Sequence, residues 1–312
     1  MSRSVVALTG ASGFIGQEIA RVLVRDGYRV IGWVRGAFRP SHLAIPGVEY
    51  RCKDLAHEGI TEADLAGVDT VIHAAAHAHR SRPTAYDRQL FRQINAEVTA
   101  SLAAAARRSG VRRFVYLSSA GVYGRSSMQR PWTRHDLPFP VDPYAISKLA
   151  GEAALMTELA GSEQQFLILR PPLVLGLGAP GRLASLTNWI RRGLPVPIST
   201  QPNRRSVIAV SDLAELVTAA LASVRGWGQV WLAADPEPIS SAELARAIAD
   251  GVGRSARLVS VPASLVRVLS DSPIFTSFEV DSRETLTCFN WAPRRPAIEA
   301  IKYALGKPSS AC

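Results

Sequence analysis

The stretch Val5-Val6-Ala7-Leu8-Thr9-Gly10-Ala11-Ser12-Gly13-Phe14-Ile15-Gly16 decides the fold. Its first five residues form a short apolar run that reads as a buried strand. Ile15, Ile19, Val22 and Leu23 then recur at helical spacing, and Gly27 is placed to stop that helix. Between strand and helix, the glycines let the main chain turn tightly and approach a pyrophosphate, whose charge is favoured by a helix N-terminus. Such spacing is common by itself. The strand–turn–helix context makes Gly10, Ser12, Gly13, Phe14, Ile15 and Gly16 a candidate dinucleotide-binding segment.

Working outward, strands are expected at 28–34, 48–52, 71–73, 113–118 and 166–169, with a long helical stretch over 86–109. Asp142-Pro143 reads as an N-cap followed by proline at the first helical position, opening a helix towards Leu159. Apolar strands alternating with helices predict an α/β protein, a Rossmann-type doubly wound parallel sheet covered on both faces. After Arg170 the texture changes. Prolines and glycines crowd 171–197, followed by short elements: a strand at 206–210, a helix after Asp212, a strand at 230–233, and a helix opened by the capping-box pattern Ser240-Ser241-Ala242-Glu243. The expected division is a dinucleotide-binding domain over 1–170, with 206–233 returning to it, and a smaller α/β substrate lobe over most of 171–312.

The chain has 312 residues and a formal net charge of +10, with arginines scattered rather than clustered. That surface suits anionic small molecules; nucleic-acid binding would need a recognisable module, and none is present. No apolar run approaches the roughly 20 residues of a membrane helix, and the first strand leaves no room for a signal peptide, so a cytoplasmic protein is expected. Three scattered cysteines fit neither a disulfide framework nor a zinc site. His73, His77 and His79 assemble no metal constellation with the scattered carboxylates, so no metal is expected.

The second chemical motif is Tyr144-Ala145-Ile146-Ser147-Lys148. Residues four apart on a helix share a face. A free phenol, with a pKa of about 10, is a poor acid or base near neutrality, and a neighbouring ammonium favours its ionised form. Ser118-Ser119 fall at the C-terminal end of the predicted fifth strand, the edge where open α/β sheets bind ligands. A serine there holds a substrate oxygen while Tyr144 exchanges its proton. Trp33-Val34-Arg35 ends the second strand, where an acidic residue would suit the ribose hydroxyls of NAD(H) and an arginine suits a 2′-phosphate. Arg35, with Arg39 nearby, favours NADP(H) and leaves NAD(H) possible.

These features together resemble the extended short-chain dehydrogenase/reductases, of the NAD-dependent epimerase/dehydratase family. The resemblance rests on the glycine turn, Val71-Ile72-His73-Ala74-Ala75-Ala76, Asn95, Ser118-Ser119-Ala120-Gly121-Val122-Tyr123-Gly124, Asp142-Pro143-Tyr144 with Lys148, and Leu169-Arg170-Pro171-Pro172. It continues through 204–214 and 280–283. Within the family it is closest to bacterial UDP-sugar 4-epimerases and 4-keto-sugar reductases. It implies that Ser119, Tyr144 and Lys148 are catalytic. It also implies that Asp54, Leu55, Ala74, Ala75, Ala76, Asn95 and Pro171 line the cofactor site, with Asn95 a structural residue behind it. Arg205 would contact a nucleotide diphosphate and His79 the substrate. A homodimer through a helix bundle is the expected assembly.

Departures narrow the activity. Dehydratases of this kind carry an acidic pair after the catalytic hydroxyl, where Ala120-Gly121 stand here. Sugar epimerases commonly have an asparagine where Leu173 stands. The expectation is therefore NAD(P)H-dependent reduction of a 4-keto nucleotide sugar, of the UDP-4-keto-6-deoxy-N-acetylhexosamine type. The alternatives are a UDP-hexose or N-acetylhexosamine 4-epimerase with retained NAD, a reductase of a non-sugar ketone, and a non-catalytic NADP-binding regulatory protein. A second diphosphate-binding arginine is not evident; Arg267 and Arg283 are the nearest candidates.

Overall fold

The computed structural model describes residues 4–36, 44–78, 84–127, 130–199, 202–262 and 276–306. Seven parallel strands form the central sheet: β1 (Val5–Thr9), β2 (Arg29–Val34), β3 (Val48–Cys52), β4 (Thr70–His73), β5 (Arg113–Leu117), β6 (Gln165–Arg170) and, after three short strands outside it, β10 (Gln229–Leu232). Their order is β10-β6-β5-β4-β1-β2-β3. The chain leaves β1 towards β2 and β3 on one side and resumes with β4 on the other. The C-terminal ends of β1 and β4 therefore flank the topological switch point, where such sheets open a ligand crevice.

Both faces of the sheet are buried because successive strand residues point to opposite sides and both sets are apolar. Val6, Leu8, Val115 and Leu117 join one core with Ile19 and Leu23 of α1 (Phe14–Arg25). Ala7, Phe114 and Tyr116 join the other, under α3 (Val98–Arg108) and α4 (Pro143–Leu159). Before α3, α2 (Ala85–Arg92) runs into a π-helical turn, Gln93–Glu97, so the long helix expected over 86–109 is interrupted at Asn95.

The second lobe is built on two short ladders, β7 (Leu173–Leu175) with β9 (Val207–Ala209) and β8 (Val196–Ser199) with β11 (Leu258–Val261). Around them lie α5 (Arg182–Arg191), α7 (Ser241–Gly251) and α9 (Ala297–Gly306), sharing a core of Leu175, Leu183, Val196, Val207, Ile248 and Ile301. Segment 206–233 is divided rather than returning as a whole. β9 pairs outside the main sheet, whereas α6 (Val210–Ala222) packs its Leu213 and Val217 into the α1 core, and β10 forms the sheet edge. Helix α6 begins at Val210, not after Asp212, which lies in its first turn. Phe289, the last residue of α8 (Arg283–Phe289), and Trp291 also pack into the α1 core.

Candidate active site

The glycine turn sits at the switch point and has no room for side chains. Gly10 has φ +70°, and a Cβ on it would lie 2.8 Å from the Ala75 amide nitrogen; one on Gly16 would lie 2.1 Å from the Gly10 carbonyl oxygen. Only glycine tolerates both the conformation and these approaches. Gly13 donates its N–H to Gly10 O at 2.8 Å and caps α1 without a side-chain bond, and the first turn carries no acidic residue. The leading N–H groups of α1 are thus left to an external anion. Thr9 braces the opposite wall: its hydroxyl meets His73 Nδ1 at 2.7 Å and accepts from Ala75 N at 3.2 Å. Ala74 and Ala75 are half-buried and Ala76 exposed along this wall. This crevice fits a dinucleotide. Phe14 leaves the turn to pack into the second lobe's core, and Ser12 accepts from Gln17 Nε2 at 2.9 Å through its carbonyl.

At the far end of the crevice, Arg35 is exposed after β2, and its charge reaches Asp54. Partial burial opposes ionisation of Asp54, but the Ala56 N–H, His57 and Arg35 outweigh it and hold the carboxyl below its ordinary range. Leu55 packs against the core beneath. His79, Arg39 and Arg267 lie outside the described residues.

The reacting end is assembled from β5 and α4. Asp142 caps α4 by accepting from Ala145 N at 2.9 Å, with Pro143 at the first helical position, which sets Tyr144 and Lys148 one above the other. Ser119 follows β5 in extended conformation and caps a short 3-10 turn, Ala120–Tyr123, accepting from Gly121 N at 3.1 Å. The Ser119 hydroxyl is near enough to the Tyr144 phenol to favour its ionised form. Lys148 is fully buried, its Nζ 4.1 Å from the centroid of the Tyr116 ring.

The electrostatics differ from the sequence expectation. Burial pushes the Tyr144 phenol up to about 12, Asp142 adds to this, and the nearby Ser119 hydroxyl works against it; Lys148 is not among the groups lowering it. Burial pulls Lys148 down to about 7, against the opposing pull of Glu152. In a low-dielectric pocket each group resists its own charged form. His73 is likewise held neutral at about 3 by burial and by Lys148, which fits its role as a packed, hydrogen-bonded strand-end residue.

Asn95 is fully buried behind the site. Its Oδ1 accepts from His77 N at 2.8 Å, and its Nδ2 donates to His77 O at 3.0 Å and to Ser147 Oγ at 2.9 Å. With its amide spent on the protein, it positions the β4 loop against α4 and offers no side-chain group to a cofactor. Pro171 is buried, and its carbonyl accepts from Ala120 N at 2.8 Å, fixing the Ser119 turn to the end of β6. Arg205, in the second lobe, donates to Thr276 O at 2.8 Å and lies over Phe278. Burial, then the nearby Arg182, lowers it to about 10. Arg283 is exposed and clasps Asp281 on the surface, with Nη2 2.5 Å from Oδ2.

Two parts of the site have no role assigned to them from the sequence, where His77 is weighed only as a metal ligand. His77 holds the β4 loop through its backbone and packs its ring on Phe91, which meets Tyr144 edge-on. Glu152 and Arg170 form a buried ion pair beneath the Ser119 turn. The only signal for that pair was a carboxylate four residues after Lys148 on an otherwise apolar helix face. Among the described residues no group of three or more His, Cys, Asp or Glu could hold a metal, and no helix is long and apolar enough to cross a membrane.

Residues 6–232 match the model of the NAD dependent epimerase/dehydratase family. A UDP-glucose 4-epimerase of Vibrio cholerae is 28% identical over 314 residues, spanning 97% of this chain and 94% of that protein. A ceramide reductase of Caulobacter vibrioides is 28% identical over 84% of this chain and 74% of its own length. The structure of a UDP-glucuronic acid 4-epimerase from Bacillus cereus in complex with NAD superposes with a TM-score of 0.80 over 96% of this chain and 97% of that one, at 20% identity. That likeness concerns the fold.

Proposed function

Because this chain belongs to the NAD-dependent epimerase/dehydratase family, and so is an enzyme of the extended short-chain dehydrogenase/reductase type, we propose that it is a UDP-sugar 4-epimerase. It would remove a hydride from C4 of a UDP-linked hexose and return it to the opposite face. The observation that carries this reading is Tyr144, with Ser119 near its phenol, one helical turn from buried Lys148 at the strand ends beside the glycine turn. The match along nearly the whole chain to a UDP-glucose 4-epimerase supports the substrate class.

In this reading Tyr144 takes the C4 hydroxyl proton and later returns it, Ser119 hydrogen-bonds the same oxygen, and the Lys148 ammonium favours the phenolate. When bound, the oxidised nicotinamide supplies the hydride acceptor and a positive charge in the crevice. A cation there is what a phenol held at about 12 requires before it serves as a base near neutrality. Gly10, Gly13 and Gly16 with the start of α1 would hold the pyrophosphate, and Ala74 to Ala76 would wall the cofactor. Arg205, with Arg182 beside it, would meet the substrate diphosphate. The assembly proposed is a homodimer through α2 and α4, which pack together and expose Tyr86 and Ile146.

A second reading is the NADPH-dependent reduction of a UDP-4-keto sugar. Arg35 after β2, and Leu173 in the place of the epimerases' usual asparagine, favour it. One experiment separates the two. Purified protein is given UDP-glucose or UDP-N-acetylglucosamine with no added cofactor and, separately, a UDP-4-keto-6-deoxy-N-acetylhexosamine with NADPH or NADH. Interconversion of C4 epimers in the first supports the epimerase. Stoichiometric loss of reduced nicotinamide in the second, with no epimer in the first, overturns it in favour of the reductase. Silence in both overturns the sugar reading altogether.

A further inference from the structure

Glu152 lies in the middle of α4, one turn beyond Lys148, and is 0% exposed. Its carboxylate accepts from Arg170 Nε at 2.9 Å, from Arg170 Nη2 at 2.5 Å, and from the Ser118 hydroxyl. Arg170 also donates from Nη1 to the Tyr123 hydroxyl at 2.6 Å. Arg170 ends β6, Ser118 directly follows β5 and precedes Ser119, and Tyr123 closes the turn that Ser119 caps. One carboxylate therefore joins α4 to both strands whose ends carry the site.

The charges in this buried layer do not balance. Arg170 pairs directly with the single anion Glu152, and Lys148, one turn earlier on α4, feels the same carboxylate without contacting it. An arginine does not give up its proton in a protein, whereas a buried lysine does so readily. The titratable groups around Lys148 are His73 from β4, which its charge reaches, Tyr116 from β5, whose ring it overlies, and Tyr144 and Glu152 one turn to either side along α4. His73 and Tyr116 are both held neutral by burial. Tyr144 is neutral in the protein by itself. The only charge among them that favours an ammonium is the carboxylate at position 152.

We propose that Glu152 is a positioning residue of this site: its buried carboxylate favours the charged form of Lys148, one turn away on α4, while binding the Ser119 turn to α4. The inference rests on reading Lys148 as part of the catalytic site, yet its central test needs no turnover.

The chain has four lysines, Lys53, Lys148, Lys302 and Lys307, so ¹³Cε-labelled lysine gives four resonances to follow through a pH titration. Lys148→Met identifies the one that titrates near neutrality. In Glu152→Gln its proton affinity should fall tenfold or more, and kcat at pH 8 should fall with it. An unmoved midpoint in a folded Glu152→Gln protein overturns the proposal. Should that variant not fold, Glu152→Gln/Arg170→Met removes both partners of the ion pair, and the midpoint must still fall. Ser118→Ala removes one bond to the carboxylate but not its charge, so it should leave the Lys148 midpoint in place. A fall equal to that of Glu152→Gln would overturn the electrostatic role. Loss of all sugar activity in the wild type, with the lysine shift intact, would sink the catalytic reading and leave this one standing.

Discussion

Gly151 faces the carbonyl of Asn95 so closely that a methyl group on it would lie 2.2 Å from that oxygen and 2.4 Å from the Tyr116 hydroxyl. The contact has a cause in the π-helical turn, where a widened backbone leaves the Asn95 carbonyl to accept from the Tyr116 hydroxyl at 3.0 Å and from Thr99 Oγ1 at 2.9 Å. Helix α4, which carries Tyr144 and Lys148, can approach the sheet only because position 151 has no side chain. Gly151→Ala should therefore destabilise the fold by about 1–3 kcal/mol or more through overpacking against backbone. Denaturant midpoints test this, with exposed Ala153→Ser as the comparison expected within about 0.5 kcal/mol of wild type. Equal stability of Gly151→Ala and wild type would mean that α4 is not seated as described.

Tyr144→Phe and Ser119→Ala should each lower kcat by about 10²–10⁴-fold, the range expected for a proton-transferring group or its hydrogen-bond partner. Cofactor affinity, measured by calorimetric titration with NAD, should hold in both, because the glycine turn is untouched. Undiminished turnover in Tyr144→Phe would remove the tyrosine from the mechanism.

Much of this site was legible in the sequence because its parts are neighbours along the chain. Tyr144 and Lys148 share one helix face, Ser119 ends a strand, and the glycine turn joins consecutive elements. What escaped reading depends on contacts between distant segments. Glu152 and Arg170 are 18 positions apart on a helix and a strand; Arg170 was legible as part of Leu169-Arg170-Pro171-Pro172, but nothing along the chain pairs it with Glu152. The π-helical turn at Asn95 is invisible to a 3.6-residue periodicity. A strand at 206–210 was expected, and β9 lies within it, but its three-residue partner β7 carries too little pattern to be read, so their ladder was missed. The activation of Tyr144 by Lys148 was inferred from spacing alone. Burial raises the one and lowers the other, and spacing cannot report burial.

Arg35 should set cofactor preference. If its exposed guanidinium meets a 2′-phosphate, Arg35→Asp should weaken NADPH binding tenfold or more, as losing a charge-assisted hydrogen bond of about 1.5–3 kcal/mol implies, while NADH binding changes little. An unchanged ratio of the two affinities would show that Arg35 does not read the phosphate.

Asp212 and Asp235 are buried carboxyls whose ionisation the fold opposes. Burial raises both, and the charge of Asp235 adds to the effect on Asp212, whose Oδ2 has no hydrogen-bond partner. A group with a raised folded pKa contributes stability below its unfolded value, near 3.8, and that stability is lost as pH rises through the folded value. Asp212→Asn keeps the oxygen that accepts from the Arg294 amide at 3.3 Å and removes the charge. Its melting temperature relative to wild type should therefore be higher at pH 8 than at pH 4. A deficit at pH 8 no smaller than at pH 4 would contradict the assignment.

The central claim is that hydride leaves and returns at C4 of a UDP-sugar beneath Ser119 and Tyr144. The most direct measurement uses UDP-glucose carrying deuterium at C4, incubated with the purified protein without added cofactor and followed by NMR. The account predicts a C4 epimer that retains the deuterium at C4, and none of it from Tyr144→Phe. Absence of any epimer from the wild type, or an epimer whose label has been lost to water, would contradict it.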